Sequence, residues 1–351
     1  MGQRGQNLGR QGGLKFVGER KMKAACYNRY GPAHEVLEIR ELPIPQPAAG
    51  EIRVRIHTSG ISPSDIYSRS GRRKRPWTFE YIVPHQDGAG VIDAVGEGVA
   101  SRLIGERVWL YKAQWQRQHG TAAEYITLPL DLAVVMPASL GFAEGASLGI
   151  PAITAHRAVT LGGSIAGQTV LVAGGAGAVG YYATQLAKAK GARVIATAGN
   201  PKTIELARGA GADHVIDYRT EPVAERVAAL TSGRGVDRVL EVDLAANASL
   251  LPGVLCKGGS IVVYGSGQGE ATFPATAGIQ NSWSMHFVYL YDMSTDAIRA
   301  ALAELTAMLH SNALKHLPVR CFPLAAIADA HAAVEAGNHG TRMIVEPLAS
   351  T

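Results

Sequence analysis

The chain has 351 residues, of which 47% are hydrophobic and 18% are charged, and its formal net charge is +5. That balance excludes an intrinsically disordered protein, the length suggests about two domains, and no apolar run approaches the ~18 residues that a membrane-spanning helix needs. Three widely separated cysteines, Cys26, Cys256 and Cys321, exclude a disulfide framework and a four-cysteine zinc lobe.

The first twenty residues are rich in glycine, glutamine and arginine, carry a net charge of +3 and show no apolar periodicity. We therefore predict a flexible leader over residues 1–21, with ordered structure beginning near Met22. Because this segment has no apolar core, it does not resemble a secretory signal. A mitochondrial transit peptide is the alternative, which the absence of serine disfavours, and we expect the protein to be cytoplasmic.

The segment over residues 22–150 has the pattern of strands and turns. Residues 52–56 alternate apolar and basic side chains, and residues 88–98 form an apolar run bounded by glycines. Both patterns are typical of strands that are buried on one face. The prolines at 43, 45 and 47 exclude a helix over residues 43–47, before the first of these strands. We predict an antiparallel, barrel-like β domain.

From residue 151 the pattern changes to short apolar runs that alternate with glycine turns and helices. The runs lie at residues 169–173, 193–197, 214–217, 236–242, 260–264 and 286–290. This alternation predicts an α/β fold with a doubly wound parallel sheet. The tail is predicted to form a helix (295–310), a strand (319–323), a helix through 331–335 and a closing strand (343–345) that packs back on the first domain.

A glycine-rich loop follows the first apolar run of this second half. Gly175, Gly177 and Gly180 form the pattern G-x-G-x-x-G, and this loop opens an amphipathic helix whose apolar face starts at Val179. The glycines allow a tight turn and a close approach of a pyrophosphate, while the start of the helix supplies unpaired N–H donors. The loop therefore predicts a dinucleotide site.

The second apolar run indicates which dinucleotide binds. A carboxylate about 20 residues after the loop is typical of NAD sites, but no Asp or Glu occurs between Gly180 and Glu205. The run ends instead in small residues, then Asn200 and Lys202, and a lysine there pairs with a 2′-phosphate. A solvated lysine at a helix start is the alternative. We predict NADPH as the cofactor.

At these residues the chain resembles a known family. The matching stretches are residues 60–71, 87–91, 154–155, the loop that starts at 175, and 215–218, within a similarity that runs from Met22 to Pro347. They are similar to the medium-chain dehydrogenase/reductase superfamily, specifically its zinc-free quinone oxidoreductase (zeta-crystallin-like) branch. The resemblance implies a GroES-like catalytic domain over 22–150 and 295–351, and a Rossmann NADP-binding domain over 151–294.

The same resemblance implies roles for single residues. Tyr218 would help Lys202 to hold the 2′-phosphate, and Thr154, Gly265 and Val288 would lie around the nicotinamide. It also implies a homodimer that continues the parallel sheet through its last strand, at residues 286–290.

The resemblance raises the question of zinc. Zinc-dependent members of the superfamily take ligands at positions that correspond here to Ser62, Gln86 and Ile150. A catalytic zinc needs three protein ligands from Cys, His or carboxylate, and His85 with Asp87 is too small a set. We therefore predict a zinc-free site and interpret His85 as a loop residue.

Without a Lewis acid, hydride transfer requires an electron-poor acceptor, namely a quinone or an α,β-unsaturated carbonyl. The resemblance places Ser62, Asp65 and Tyr67 near that acceptor as catalytic candidates. The alternative for Asp65 is a turn cap, and Tyr67 either lines the pocket or donates the proton.

Two further features have two interpretations each. The cations Arg69, Arg72, Arg73, Lys74 and Arg75 form either a solvated loop or the rim of a substrate mouth that attracts an anionic group. Trp109, Tyr111 and Trp115 either line an aromatic pocket or belong to the core.

Two rival functions stay open at this point. An enoyl or 2-alkenal reductase of the same fold needs the same hydride geometry, and no residue separates it from a quinone reductase. A non-catalytic, crystallin-like RNA-binding protein is supported only by the basic leader and the basic run, because the rest of the chain is near neutral.

Overall fold

The computed structural model describes residues 20–73, 78–337 and 340–348, so the predicted leader lies almost wholly outside the described residues. The strands of the first half are β1 (Lys21–Cys26), β2 (Glu38–Pro43), β3 (Glu51–Gly60), β4 (Asp87–Val95), β5 (Arg107–Leu110), β6 (Tyr125–Pro129) and β7 (Ala133–Val135). Its α-helices are α1 (Ala33–Val36), α2 (Pro63–Ser70) and α3 (Phe142–Gly145).

β3 is the central strand of this half. It pairs antiparallel with β4 on one side and with β6 on the other, and β5 and β7 extend the sheet beyond β4. The apolar side chains of Ile52, Val54 and Ile56 are fully buried, while Arg53 and Arg55 point away from that core. The alternation in the sequence therefore predicted both the strand and its buried face.

The second half contains the elements of the predicted alternation. They are α4 (Gly149–Thr160), β8 (Thr169–Val172), α5 (Ala178–Ala189), β9 (Arg193–Ala198), α6 (Pro201–Gly209), β10 (His214–Asp217), α7 (Val223–Leu230), β11 (Val236–Glu241), α8 (Leu244–Asn247), α9 (Leu251–Val254), β12 (Leu255–Val263), α10 (Ala275–Asn281) and β13 (Ser284–Phe287).

The strands of this half form one parallel sheet in the order β10-β9-β8-β11-β12-β13. The predicted doubly wound fold is thus confirmed. The last strand differs from its predicted position, since it begins at Ser284 and ends at Phe287. Val288 follows the strand, and its N–H still donates to the carbonyl of Val263, 2.8 Å away.

The tail returns to the first half. It forms α11 (Thr295–His310), β14 (Val319–Pro323), α12 (Ile327–Glu335) and β15 (Arg342–Glu346). β14 runs parallel to β15, and β15 pairs antiparallel with the end of β3, which makes the first sheet from two distant stretches of the chain. α11 packs on α4. The division of the chain into two domains with boundaries near residues 150 and 294 stays a prediction.

Within the described ranges, no helix is both long and apolar enough to cross a lipid bilayer.

Candidate active site

A cleft of about 800 Å³ runs between α2 and the carboxyl ends of the parallel strands. In a doubly wound sheet, ligands bind at this edge where the strand order reverses, which is here between β8 and β11. Most residues proposed from the sequence line it: Ser62, Tyr67, Thr154, Gly177, Val179, Gly180, Asn200, Tyr218, Gly265 and Val288. Asp65, Gly175 and Lys202 are outside the lining.

The glycine-rich loop lies on the floor of the cleft, between β8 and α5. A Cβ at Gly175 would lie 2.6 Å from the Cβ of Ala196, and a Cβ at Gly180 would lie 2.2 Å from the carbonyl oxygen of Gly174. Glycine is therefore required at both close approaches. α5 begins after Gly177, so the unpaired N–H groups of its first turn are at the cleft. The loop fits a dinucleotide pyrophosphate.

The wall beyond β9 carries a tyrosine and an arginine. A Cβ at Gly199 would lie 2.4 Å from the hydroxyl of Tyr218, so the phenol packs directly on this glycine. Tyr218 is 52% exposed and lines the cleft together with Arg219. Arg219 was missed by the sequence reasoning, although it directly follows Tyr218 in the matched stretch. The wall presents a cation and a hydroxyl where a carboxylate is typical of NAD sites.

Asn200 and Lys202 belong to the start of α6. The side-chain oxygen of Asn200 accepts the N–H of Thr203 at 3.0 Å and caps the helix. The ammonium of Lys202 donates to the hydroxyl of Thr341 at 2.7 Å. The proposed role of Lys202 at the 2′-phosphate requires this contact to open, and it stays a prediction.

The residues proposed for the nicotinamide end come from three separate elements. Thr154 projects from α4, and Val288 follows β13. A Cβ at Gly265 would lie 2.3 Å from the carbonyl oxygen of Val242, so the chain after β12 approaches the chain after β11 closely. All three line the cleft, in contact with the same space as the glycine-rich loop.

A buried acid cluster lies behind the cleft at the start of α2. The N–H of Ser62 donates to Asp65 at 2.7 Å, and the hydroxyl of Ser62 donates to Asp87 at 3.2 Å. The second oxygen of Asp87 accepts the N–H of Ile150 at 2.8 Å. Asp65 thus caps the helix, and its proposed part in the chemistry stays a prediction.

The carboxyl groups of Asp65 and Asp87 are weaker acids than usual, because the pKa of each is raised. Burial raises the pKa of Asp65 to about 8 and that of Asp87 to about 7, although the positive charge of Arg342 opposes the shift in both. Arg342 is itself 1% exposed. Burial therefore favours the protonated form of Asp87, which is joined through Ser62 to the cleft.

His85 is a structural residue. It is fully buried with a φ of +81°, its Nδ1 lies 2.7 Å from the hydroxyl of Ser59, and its Nε2 lies 2.9 Å from the Nε2 of His331. The neighbouring Gln86 donates its side-chain N–H to Gln114 at 3.0 Å.

Over the described ranges, no three His, Cys, Asp or Glu side chains come together in a way that could hold a metal ion. The zinc-free site stays a prediction, because it rests on which residues occupy the corresponding positions.

The basic run is divided between two environments. The guanidinium groups of Arg72 and Arg73 lie 4.5 and 5.3 Å from the ring centroid of Tyr67, and both side chains line the cleft. Arg69 is 1% exposed, where it pairs with Glu335 on α12 and donates to the carbonyl of Gly31 at 2.5 Å. Lys74 and Arg75 lie outside the described residues.

The aromatic residues noted from the sequence also separate. Trp109 is fully buried in the core, and the hydroxyl of Tyr111 donates to a backbone carbonyl. Trp115 stacks on Tyr291 with ring centroids 4.1 Å apart. Tyr291 lines the cleft, where its hydroxyl donates to Ser64 at 3.1 Å. Of the three residues noted from the sequence, Trp115 alone therefore supports a wall of the cleft. It does so through Tyr291, which the sequence did not single out.

Comparison with known proteins gives consistent relatives for both halves. A family model described as "Alcohol dehydrogenase GroES-like domain" matches residues 48–138, and one described as "Zinc-binding dehydrogenase" matches residues 178–307. Human quinone oxidoreductase is 29% identical over 331 residues, which cover 94% of this chain and 98% of the human protein. Mouse quinone oxidoreductase is 32% identical over 253 residues, 71% of this chain and 75% of the mouse protein.

Among solved structures, that of Escherichia coli quinone oxidoreductase complexed with NADPH matches with a TM-score of 0.81 at 26% identity. The match covers 93% of this chain and 100% of the bacterial one.

Proposed function

The chain belongs to the quinone oxidoreductase branch of the medium-chain dehydrogenase/reductase superfamily, and on that premise we propose an NADPH-dependent enzyme that transfers hydride to a quinone or activated alkene. The membership confirms the predicted resemblance and fold, and it makes the chain an oxidoreductase. The observation that carries the proposal is that one cleft brings the glycine-rich loop together with the hydroxyl groups of Ser62 and Tyr67.

NADPH is favoured over NADH by the wall beyond β9. Residues 197–200 contain no carboxylate to accept from a ribose hydroxyl, and Tyr218 and Arg219 line the cleft beside them. A guanidinium and a phenol suit a 2′-phosphate, because charge-assisted hydrogen bonds to phosphate are about twice as strong as neutral ones.

The proton that accompanies the hydride comes from the α2 side of the cleft. When bound, the dinucleotide supplies the hydride. Ser62 Oγ donates its proton to the acceptor and regains one from the carboxyl group of Asp87, to which it is hydrogen-bonded. The Asp87 carboxylate, which is itself fully buried, regains its proton through Ser62 from water that enters the cleft after the product leaves. Tyr67 is the second donor at this wall, and its phenol orients the acceptor oxygen.

We propose that this chemistry runs without zinc. The positions that correspond to the zinc ligands of alcohol dehydrogenases hold Ser62, Gln86 and Ile150. A hydroxyl, an amide and an alkyl group are not the thiolate, imidazole and carboxylate ligands that zinc requires.

The aromatic wall favours a flat acceptor. Tyr291 lines the cleft with Trp115 stacked behind it, so the phenol ring is held rigidly as a surface for a second ring. A quinone fits such a surface better than an extended aliphatic enoyl chain. The enoyl or 2-alkenal reductase therefore remains the second candidate function.

A direct assay separates these functions. We would follow the absorbance of NADPH during incubation with a quinone, with an enal and with no acceptor, each with and without a metal chelator. Chelator-insensitive turnover of the quinone is expected. Turnover of the enal alone would favour the second candidate, loss of activity on chelation would refute the zinc-free site, and salt-sensitive RNA binding without any turnover would revive the non-catalytic role.

We further propose a cytoplasmic homodimer. β13 is an outer strand of the parallel sheet, and near it Phe287 and Ile279 are 66% and 80% exposed. An unpaired edge flanked by apolar side chains is suited to continuing the sheet into a second copy. A monomeric mass by light scattering would contradict this assembly.

A further inference from the structure

We propose that Arg72 and Arg73 form a subsite for an anionic group on the acceptor, at the mouth of the cleft beside Tyr67. This inference rests on the proposed function and narrows its substrate class to acceptors that carry a carboxylate or a phosphate.

The position of the two arginines is fixed by the end of α2. Gly71 caps the helix with a φ of +80°, which turns the chain back over the last turn. The N–H of Arg73 then donates to the carbonyl of Tyr67 at 3.0 Å, and both guanidinium groups lie over the phenol ring. The cations are therefore held against the cleft wall by helix geometry and by the ring.

Their charge is not balanced locally. The carboxylate on this wall, Glu335, is already paired with the buried Arg69. No carboxylate of the described ranges lies within ion-pair distance of Arg72 or Arg73. Two exposed positive charges therefore remain at the mouth of the cleft, and their summed field attracts an anion.

The subsite faces the acceptor. Arg72 and Arg73 are on the same helix end as Tyr67, and they line the same cleft as Ser62, the proposed proton donor. The wall suited to the 2′-phosphate lies instead after β9 and β10, at Tyr218 and Arg219. A molecule whose reducible end reaches Ser62 can thus extend its anionic end to the two guanidinium groups. Arginine binds carboxylate and phosphate in the same bidentate way.

The test uses matched acceptors that differ in charge. One pair is a neutral benzoquinone and the same quinone with a carboxymethyl substituent. The other pair is the crotonyl thioester of 4′-phosphopantetheine and that of pantetheine, which differ only in one phosphate. We would measure kcat/KM at low and high salt for the wild type, Arg72→Gln/Arg73→Gln, Arg72→Lys/Arg73→Lys, and Arg102→Gln as a distant exposed control.

In at least one pair, the wild type should favour the anionic member by roughly tenfold at low salt, and added salt should reduce that preference. The glutamine double variant should lose it and keep its activity with the neutral member, while the lysine variant retains part of it and Arg102→Gln all of it. A preference confined to the first pair identifies a carboxylate, and one confined to the second identifies a phosphate.

Three outcomes would overturn the subsite. The wild type could show equal kcat/KM within both pairs, or the glutamine double variant could lose kcat/KM equally for neutral and anionic acceptors. The third outcome is a higher dissociation constant of NADPH in the glutamine double variant. The last would assign the arginines to the cofactor. If no acceptor is reduced, the proposed function fails, but calorimetric binding of butyryl coenzyme A still tests the subsite through the same variants, and unchanged affinity would refute it.

Discussion

The imidazole rings of His85 and His331 are stacked inside the protein, with centroids 5.1 Å apart and a direct contact of 2.9 Å between their Nε2 atoms. One ring belongs to the turn before β4 and the other to α12, so the pair joins the first part of the chain to its tail. Both residues are fully buried. Burial lowers the pKa of His85 to about 3 and lowers that of His331 as well, so both rings are neutral at physiological pH.

This pair predicts acid sensitivity of the fold. Below the ordinary histidine pKa of about 6.5, the unfolded chain binds protons that the folded chain excludes. Stability from each ring is therefore present above about pH 6.5 and declines as the pH falls, by up to about 1.4 kcal/mol per pH unit. His331→Phe should lower the free energy of unfolding by about 1–3 kcal/mol at neutral pH, and should flatten its decline in acid.

Chemical denaturation between neutral pH and pH 4 measures both effects. The exposed His310 provides the control, because His310→Gln should follow the wild-type pH dependence. Parallel curves for His331→Phe and the wild type would contradict the prediction.

The second prediction concerns the glycine-rich loop. Gly180→Ala would place a methyl group 2.2 Å from the carbonyl oxygen of Gly174 and displace the loop from the phosphate position. The dissociation constant of NADPH, measured by its fluorescence, should rise roughly tenfold or more. Gly209→Ala is the matched control in the same half, since a methyl group there meets no atom within 4 Å. Equal affinities in the two variants would show that the loop does not hold the pyrophosphate.

The third prediction concerns the choice of dinucleotide. Arg219→Gln should reduce the ratio of kcat/KM for NADPH to that for NADH by roughly tenfold, because it removes a guanidinium from the cleft wall. Lys202→Gln should have a smaller effect, since its ammonium is bonded to Thr341. A larger effect for Lys202→Gln would mean that the lysine leaves Thr341 when the cofactor binds.

The fourth prediction concerns the proton supply. If Asp87 must be protonated to recharge Ser62, kcat/KM should fall as the pH rises through the Asp87 pKa of about 7. Asp87→Asn should remove that limb of the profile, and Ser62→Ala should lower kcat roughly a hundredfold with little change in NADPH affinity. Tyr67→Phe tests the other donor. Persistence of the limb in Asp87→Asn, with a folded protein by circular dichroism, would eliminate this relay.

The sequence predicted the elements that depend on local patterns. The alternation in β3 and the G-x-G-x-x-G loop before α5 are each contained in one short stretch, and both are confirmed as structural elements. The prediction placed the outer strand at residues 286–290, whereas β13 is Ser284–Phe287. An apolar run shows that a segment is buried or pairs, but it does not show at which residue the pairing stops.

What the sequence did not show depends on contacts between distant segments. Arg69 and Arg72 are indistinguishable members of one basic run, yet the first is buried because α12 supplies Glu335 beside it. Asp87 was considered only as a possible metal ligand, because its bond to Ser62 exists only once β4 and α2 are placed together. Arg219 follows a matched tyrosine and became a candidate only when the cleft placed its side chain in the lining.

The pairing of β15 with β3 has a consequence for how the molecule is made. During synthesis, every strand of the parallel sheet leaves the ribosome before β15 does. β3 is also made long before β15, so this pair of strands forms only at the end of synthesis. The parallel sheet can therefore form co-translationally, and the wall that carries the acceptor residues is completed last. Truncating the chain before Ile344 removes the two residues of β15 that pair with β3, Ile344 and Val345. It should consequently damage the acceptor side of the cleft while leaving the dinucleotide loop intact.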